Sequence, residues 1–335
     1  MGRLGRLLLI YFIIMSLAAC QKKKVETANP FFEEWTTPYG VPPFDRIRPE
    51  HFLPAFERGM SLHNAEIDAI VDTSDEPTFE NTIAAYDASG RMLQRTSLIF
   101  EMLAASDATP EMQAVEQEAM PLLAAHADEI RMNERLFGRI KAVYDRREAL
   151  PLTAEQRRLT EKLYRRFVRS GALLDEAGKR RLKEINGDLS RLSVKYGNNL
   201  LHENDAFGLE LTADRLEGLP NAVREAAREK AQAAGLGDKS YLFTLHKPSM
   251  LPFLSYAKDR KLREELYTAY LDRCNHGDEY DNKALVNDYI RLRTEKAHLL
   301  GYDSFADYVT ADQMAATPAA VYALLDEIWT PALDR

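Results

Sequence analysis

Seven histidines are the side chains best suited to chemistry here: His51, His63, His126, His202, His246, His276 and His298. No two stand four apart, so no helix can present the paired imidazoles of an H-E-x-x-H zinc motif. His202-Glu203 opens that pattern, but Ala206 occupies the second ligand position. A catalytic zinc takes three protein ligands, and this stretch cannot supply them. Glu295-Lys296-Ala297-His298 puts a carboxylate and an imidazole on one helix face. A di-metal bundle needs two such pairs and two further glutamates, and this order occurs once. A surface Glu beside a packed His is the better reading. Ser255-Tyr256-Ala257-Lys258 matches the Ser-x-x-Lys of penicillin-recognising enzymes, without the companion Ser-Asp-Asn and Lys-Thr-Gly elements. Gly235 to Ser240 (GLGDKS) has Asp where a phosphate loop needs Gly before Lys, and reads as a helix stop before a strand. No Cys-x-x-Cys pair offers zinc or redox chemistry. Tyr256, Tyr267, Tyr270 and Tyr289 fall at helical positions, where packing in a core or cleft wall is the default. The residues give no self-sufficient catalytic site and no metal site.

The elements that would position these groups are mostly helices. Pro49 suits a first helical position, and Phe52, Leu53, Phe56 and Met60 recur at helical spacing. The period predicts a helix from Glu80 to Ala104 that tolerates Gly90. Thr109-Pro110-Glu111 is a start signal for a helix running to Arg147 with a kink near Pro121. Thr153-Ala154-Glu155-Gln156 is a capping box opening a helix to Ser170. Further helices are expected over 175–199, 220–234, 260–273, 282–300 and 318–333, with Gly235 a C-cap. Phe207 to Leu211 and Tyr241 to His246 read as strands. The fold class is therefore mainly α with a small β element. No Gly/Ser/Pro-rich linker divides residues 30–335, which read as one unit.

The first residues carry a different message. Arg3 and Arg6 precede the apolar run Leu7 to Ala19, which is short of the roughly 20 residues that a spanning helix needs. Leu17-Ala18-Ala19-Cys20 resembles the lipobox of bacterial lipoproteins. That resemblance implies cleavage between Ala19 and Cys20, and lipidation of Cys20. Residues 1–19 are then a signal peptide and residues 20–28 a lipidated Cys with a polar tether. Several acyl chains would anchor the protein stably, exported and membrane-bound, on the periplasmic side of a bacterial envelope. Cys274 is left as a free, partly buried thiol.

Composition sets outer limits. The chain has 335 residues, a net charge of −8 and 45% hydrophobic residues, an ordinary globular balance. Two cysteines exclude a disulfide scaffold. The acidic balance argues against a nucleic-acid partner, which would call for a basic face.

Several segments together resemble one family. They are Asn29 to Pro49 (NPFFEEWTTPYGVPPFDRIRP), Ser74 to Thr82 (SDEPTFENT), Leu136-Phe137 and Ile140 to Tyr144 (IKAVY). Phe167 to Ala172 (FVRSGA), Phe243 to His246 (FTLH), Asn275 to Asn282 (NHGDEYDN) and Leu299 to Tyr302 (LLGY) follow in order. They look like bacterial peptidyl-dipeptidases, also called dipeptidyl carboxypeptidases, of the thimet oligopeptidase family of zinc metallopeptidases. The resemblance covers the amino-terminal half of such proteins, over residues 29–335. It implies a multi-helical lobe of a channel-containing peptidase fold, short peptides as substrates, and zinc in the full-length family. The zinc motif, the further Glu ligand and the substrate-holding Tyr and His lie beyond the matched region. No catalytic or metal position is therefore carried over, and the chain is expected to bind no zinc and to be inactive alone. The family chemistry would be attack by zinc-activated water with the motif Glu as base. Partners implied are the missing carboxy-terminal catalytic half and, through the lipid, the membrane. The competing expectation is a non-catalytic helical lipoprotein that binds peptides or a partner protein. The expected missing lobe also predicts an exposed apolar face around Ile328 and Trp329.

Overall fold

The computed structural model describes residues 29–335; Ala19, Cys20 and the segment read as signal peptide and tether lie outside the described residues. The described chain is mainly α with one two-stranded sheet. It forms two compact units: one comprises the described residues up to Arg191 together with Thr294–Arg335, and the other is Leu192–Arg293.

In the first unit, α1 (Phe52–Asp72) follows a single turn opened by Pro49. Proline suits a first turn because its missing N–H would be unpaired there. One stripe of α1 buries Phe52, Ala55 and Phe56 with Phe31, Phe100 and Met112. Further along, Ile67, Ile70 and Val71 join Ile83, Ile140 and Phe167. Thr78 caps a π-helical turn, Phe79–Ala84, that leads into the short α2 (Ala85–Ala88). The expected helix through Gly90 is interrupted there. Ser89 is extended and Gly90 sits at φ +69°, after which α3 (Arg91–Ser106) begins. Glycine takes that left-handed conformation without a Cβ penalty, so it ends one helix instead of weakening a longer one.

Thr109 caps α4 (Pro110–Arg131), as its start signal indicates. Pro121 lies within α4, and the interruption falls later, where Asn133 accepts from Leu136 N at 3.0 Å and opens α5 (Glu134–Arg146). That asparagine is an N-cap buried in a charged sequence, and the helical period alone does not reveal it. The capping box at Thr153 and Gln156 opens α6 (Ala154–Arg169). α1 packs on α3 and α4, and α5 packs on α6. Lys179, at the start of α7 (Glu176–Ala206), is buried and reaches Glu134 Oε1 at 2.6 Å and Glu176 Oε1 at 3.3 Å. Burial works against its charge, but the two carboxylates outweigh it and raise the ammonium pKa.

The second unit centres on β1 (Leu209–Leu211) and β2 (Tyr241–Phe243), antiparallel, with Leu209 opposite Phe243 and Leu211 opposite Tyr241. Both strands are shorter than the alternation suggests. Leu209 and Leu211 are buried and Glu210 is exposed, as period two requires. α8 (Asn221–Ala233) packs on β2; its C-cap is Ala234, and the expected Gly235 follows as the left-handed stop at φ +73°. α9 (Lys247–Tyr256) starts one residue before Pro248, which the strand reading treats only as a stop. α10 (Arg260–Leu271) completes a core of Leu216, Phe243, Phe253, Leu262 and Leu266. The unit boundaries fall inside α7 and inside α11 (Lys283–Leu299), not in a linker, so composition does not mark them. Back in the first unit, α12 (Phe305–Thr310) precedes α13 (Pro318–Asp334), on which Ile328 and Trp329 are 60% and 63% exposed.

Gly218 shows how tightly the second unit closes. Its φ is +90°, and a Cβ there would lie 2.3 Å from the Tyr256 carbonyl oxygen. Left-handed backbone costs an L-residue roughly 1–2 kcal/mol before any clash. Gly218→Ala is expected to cost about 2 kcal/mol or more, read as roughly thirty-fold faster amide exchange across 209–266. Unchanged exchange there would contradict this packing.

Candidate functional site

The first unit holds a polar chain that the sequence does not announce. His63 lies on α1, Ser89 after α2 and His126 on α4. His63 Nδ1 is 3.0 Å from His126 Nε2, and His63 Nε2 is 3.2 Å from Ser89 Oγ. Ser89 Oγ donates its only proton to the Tyr86 carbonyl at 2.7 Å. The serine oxygen must then accept from His63 Nε2–H. His63 Nδ1 is left as an acceptor, and His126 Nε2–H donates to it. Three hydrogen bonds thus run in one direction, and the bond from His126 needs a lone pair on His63 Nδ1, so His63 is the neutral imidazole of the chain.

This direction decides what the group can do. A serine nucleophile must give its proton to the histidine, as in a catalytic triad. Here the histidine gives and the serine receives, so Ser89 and His63 are not wired as nucleophile and base. The surroundings reinforce neutrality. Burial lowers the pKa of both imidazoles, and for His63 the neighbouring His126 lowers it further. Glu66 works the other way on His63, but its carboxylate is held by Gly90 N at 2.6 Å. A Cβ on Gly90 would lie 3.1 Å from the His63 ring, so the glycine serves both backbone and site. The chain borders an open cavity of about 450 Å³ lined by α1, α3, α4 and α6.

The motifs singled out from sequence find separate partners. His202 stacks on Tyr280, with ring centroids 3.6 Å apart, while Glu203 meets His276 Nε2 at 3.0 Å. Glu295 takes Arg181 in a two-pronged pair at 2.6 and 2.9 Å, and His298 Nε2 donates to the Asp303 carbonyl. The helix face that carries both residues thus satisfies them separately. Ser255 Oγ donates to the Leu251 carbonyl, and Lys258 pairs with Glu217 at 3.1 Å, so Ser and Lys are not coupled. Cys274 is buried and free, its thiol pushed up to about 11 by burial and by the Glu203 charge. Tyr256 and Tyr267 are more than half exposed, contrary to the packing expectation. Tyr270 and Tyr289 instead lie under the guanidinium groups of Arg273 and Arg293.

Among the described residues, no three His, Cys, Asp or Glu side chains converge as metal donors. The donor set of these described residues does not fit a catalytic zinc. Among them, too, no helix is long and apolar enough to cross a membrane. No exposed sequence signal points to the His63–His126 pair, because its members lie 63 positions apart and join only through helix packing.

Buried neutral histidines make stability depend on pH. The folded pKa values lie below the unfolded value of about 6.5, so on acidification the unfolded chain takes up protons first. Stability is therefore present above that value and falls as the pH drops below it. The melting temperature is expected to decline from pH 6.5 to pH 5, less steeply in His126→Gln, which can still donate to His63. Equal declines in both proteins would show that the pair contributes nothing.

Comparison with known proteins supplies what the donor geometry does not. A family described as Peptidase family M3 matches residues 253–334. The chain is 36% identical to a dipeptidyl carboxypeptidase of Escherichia coli over 310 residues. That alignment takes in 92% of this chain and 45% of the relative. An oligopeptidase A of Haemophilus influenzae is 30% identical over 86% of the chain and 43% of its own length. A probable cytosolic oligopeptidase A of Arabidopsis thaliana is 29% identical over 92% of the chain. The chain spans about half the length of the curated relatives it matches. Over that span it is similar to the bacterial dipeptidyl carboxypeptidases, and its residues 253–334 match the M3 peptidase family.

Proposed function

We propose that this chain supplies the amino-terminal helical part of an exported peptidyl-dipeptidase, a peptidase that releases dipeptides from the free carboxy terminus of short peptides. The alignment to a dipeptidyl carboxypeptidase over nearly all of this chain, but under half of the relative, carries the reading. Residues 29–335 form the helical lobe, and the metal-binding and catalytic residues come from a carboxy-terminal half outside this sequence. The dispersed partners of His202, Glu203, Glu295 and His298 support that division. The exposed apolar residues of α13, Leu324, Leu325, Ile328 and Trp329, support a covering element supplied from outside the sequence.

The purified chain is expected to hydrolyse no blocked tripeptide and to retain no stoichiometric zinc after dialysis. Hydrolysis accompanied by one bound zinc per chain would overturn the reading. A non-catalytic peptide-binding lipoprotein would instead bind the same tripeptide without needing a second polypeptide for any function.

Residues 1–28 are proposed to act as a lipoprotein signal peptide and tether, cut between Ala19 and Cys20, with Cys20 lipidated. The apolar run, its basic start and the small-small-Cys ending support this. Cys20→Ser is expected to move the exported protein from the membrane fraction to the soluble fraction. Unchanged membrane association in the variant would count against lipidation at that residue.

A further inference from the structure

The cavity beside His63 and His126 is also lined by two positive charges, Arg131, which acts at longer range on the buried Asp128 carboxylate, and Arg166. Arg131, the last residue of α4, and Arg166 on α6 both line it. Among the described residues, neither guanidinium has a hydrogen-bond or ion-pair partner within reach. Their neighbours differ in this respect. Arg135 pairs with Asp72, Arg165 with Asp312, and Arg169 donates to the Tyr308 carbonyl at 2.7 Å. Arg139 and Arg146 likewise donate to the carbonyls of Asp75 and Pro77. Each guanidinium is a planar group with five donors, and both stand at one concavity.

The rest of the lining sorts by chemistry. Tyr86 also lines the cavity; burial pushes its hydroxyl pKa up, both guanidiniums act against that, and the hydroxyl makes no hydrogen bond within the described residues. Leu93, Leu98, Leu123 and Ile130 supply an apolar wall. The acids at the rim, Asp87 and Glu101, are exposed and form no ion pair with either arginine. His63 and His126 spend their facing nitrogens on each other and on Ser89, and burial favours their neutral forms. Neutral imidazoles do not compete for an anion or repel it. A volume of about 450 Å³ is in the range of small-molecule sites.

We propose that this cavity binds a small carboxylate carrying an apolar substituent. Arg131 and Arg166 pair with the carboxylate oxygens, Tyr86 donates to one of them, and the leucine wall takes the substituent. Guanidinium groups favour this role because their fork matches a carboxylate in two-pronged geometry. The apolar wall separates such a ligand from a bare inorganic anion, which could use only the charges. The site lies within the first unit and does not depend on the peptidase reading.

The test is calorimetric titration of the intact chain with N-acetyl-leucine, N-acetyl-leucinamide and inorganic phosphate. The acid is expected to bind at least about tenfold more tightly than the amide, and more tightly than phosphate. Arg131→Gln and Arg166→Gln should each weaken the acid about tenfold or more, with Arg166→Lys intermediate. Among the described residues neither guanidinium makes a hydrogen bond, so thermal unfolding should stay near that of the parent, with Arg131→Gln losing only its longer-range effect on Asp128. Equal binding of acid and amide, tighter binding of phosphate, or no binding of the acid up to about 10 mM would each overturn the proposal. If the arginine variants failed to fold, the acid-to-amide ratio on the parent chain would still decide it.

Discussion

The packing of Phe52 and Phe56 against Phe31 and Phe100 is the contact on which the first unit depends. Phe52 meets Phe100 at 5.1 Å and Phe31 at 5.2 Å, and Phe56 meets Phe100 at 5.6 Å. All four rings are essentially shut off from solvent. Each buried ring contributes on the order of 1.5–3 kcal/mol, and edge-to-face pairs add to that. The cluster ties α1 to α3, while Met112, Val115 and Ala119 bring in α4. The same helices then carry His63, His126 and Arg131, so an apolar contact sets the spacing of the polar chain and cavity.

That dependence explains what was legible in the sequence. Helices with strong caps could be read closely: Thr109 and Thr153 start where their side chains accept from the backbone, and Gly235 stops where its φ turns positive. Interruptions within apolar periods were harder. Gly90 and Asn133 break helices that the period carries through, because a single residue ends a helix without disturbing the apolar spacing on either side. The π-helical turn at Phe79–Ala84 hides for a related reason, since one wide turn leaves Phe79 and Ile83 buried. The two-unit division has no signature at all, because it falls within long helices.

The candidate site was less legible than the fold. Zinc motifs, Ser-x-x-Lys and phosphate loops are local patterns, and sequence reading could weigh and dismiss each of them. His63, Ser89 and His126 are assembled from three elements, and none of their local sequences suggests chemistry. The direction of their hydrogen bonds is set by one serine hydroxyl and one carbonyl, a detail that only side-chain positions reveal. Exposure of Tyr256 and Tyr267 has a similar cause: helical spacing says which residues share a face, not whether that face is covered.

Lys179 offers a last point about chemistry held in reserve. Its amine is enclosed between α7 and the start of α5, clasped by two acids whose own side chains face water. An amine so clasped keeps its third proton and has no lone pair to offer an electrophile. Reagents that acylate lysines would pass it over while modifying exposed lysines such as Lys162 or Lys239. Its lack of reactivity would report that the two helices are still joined.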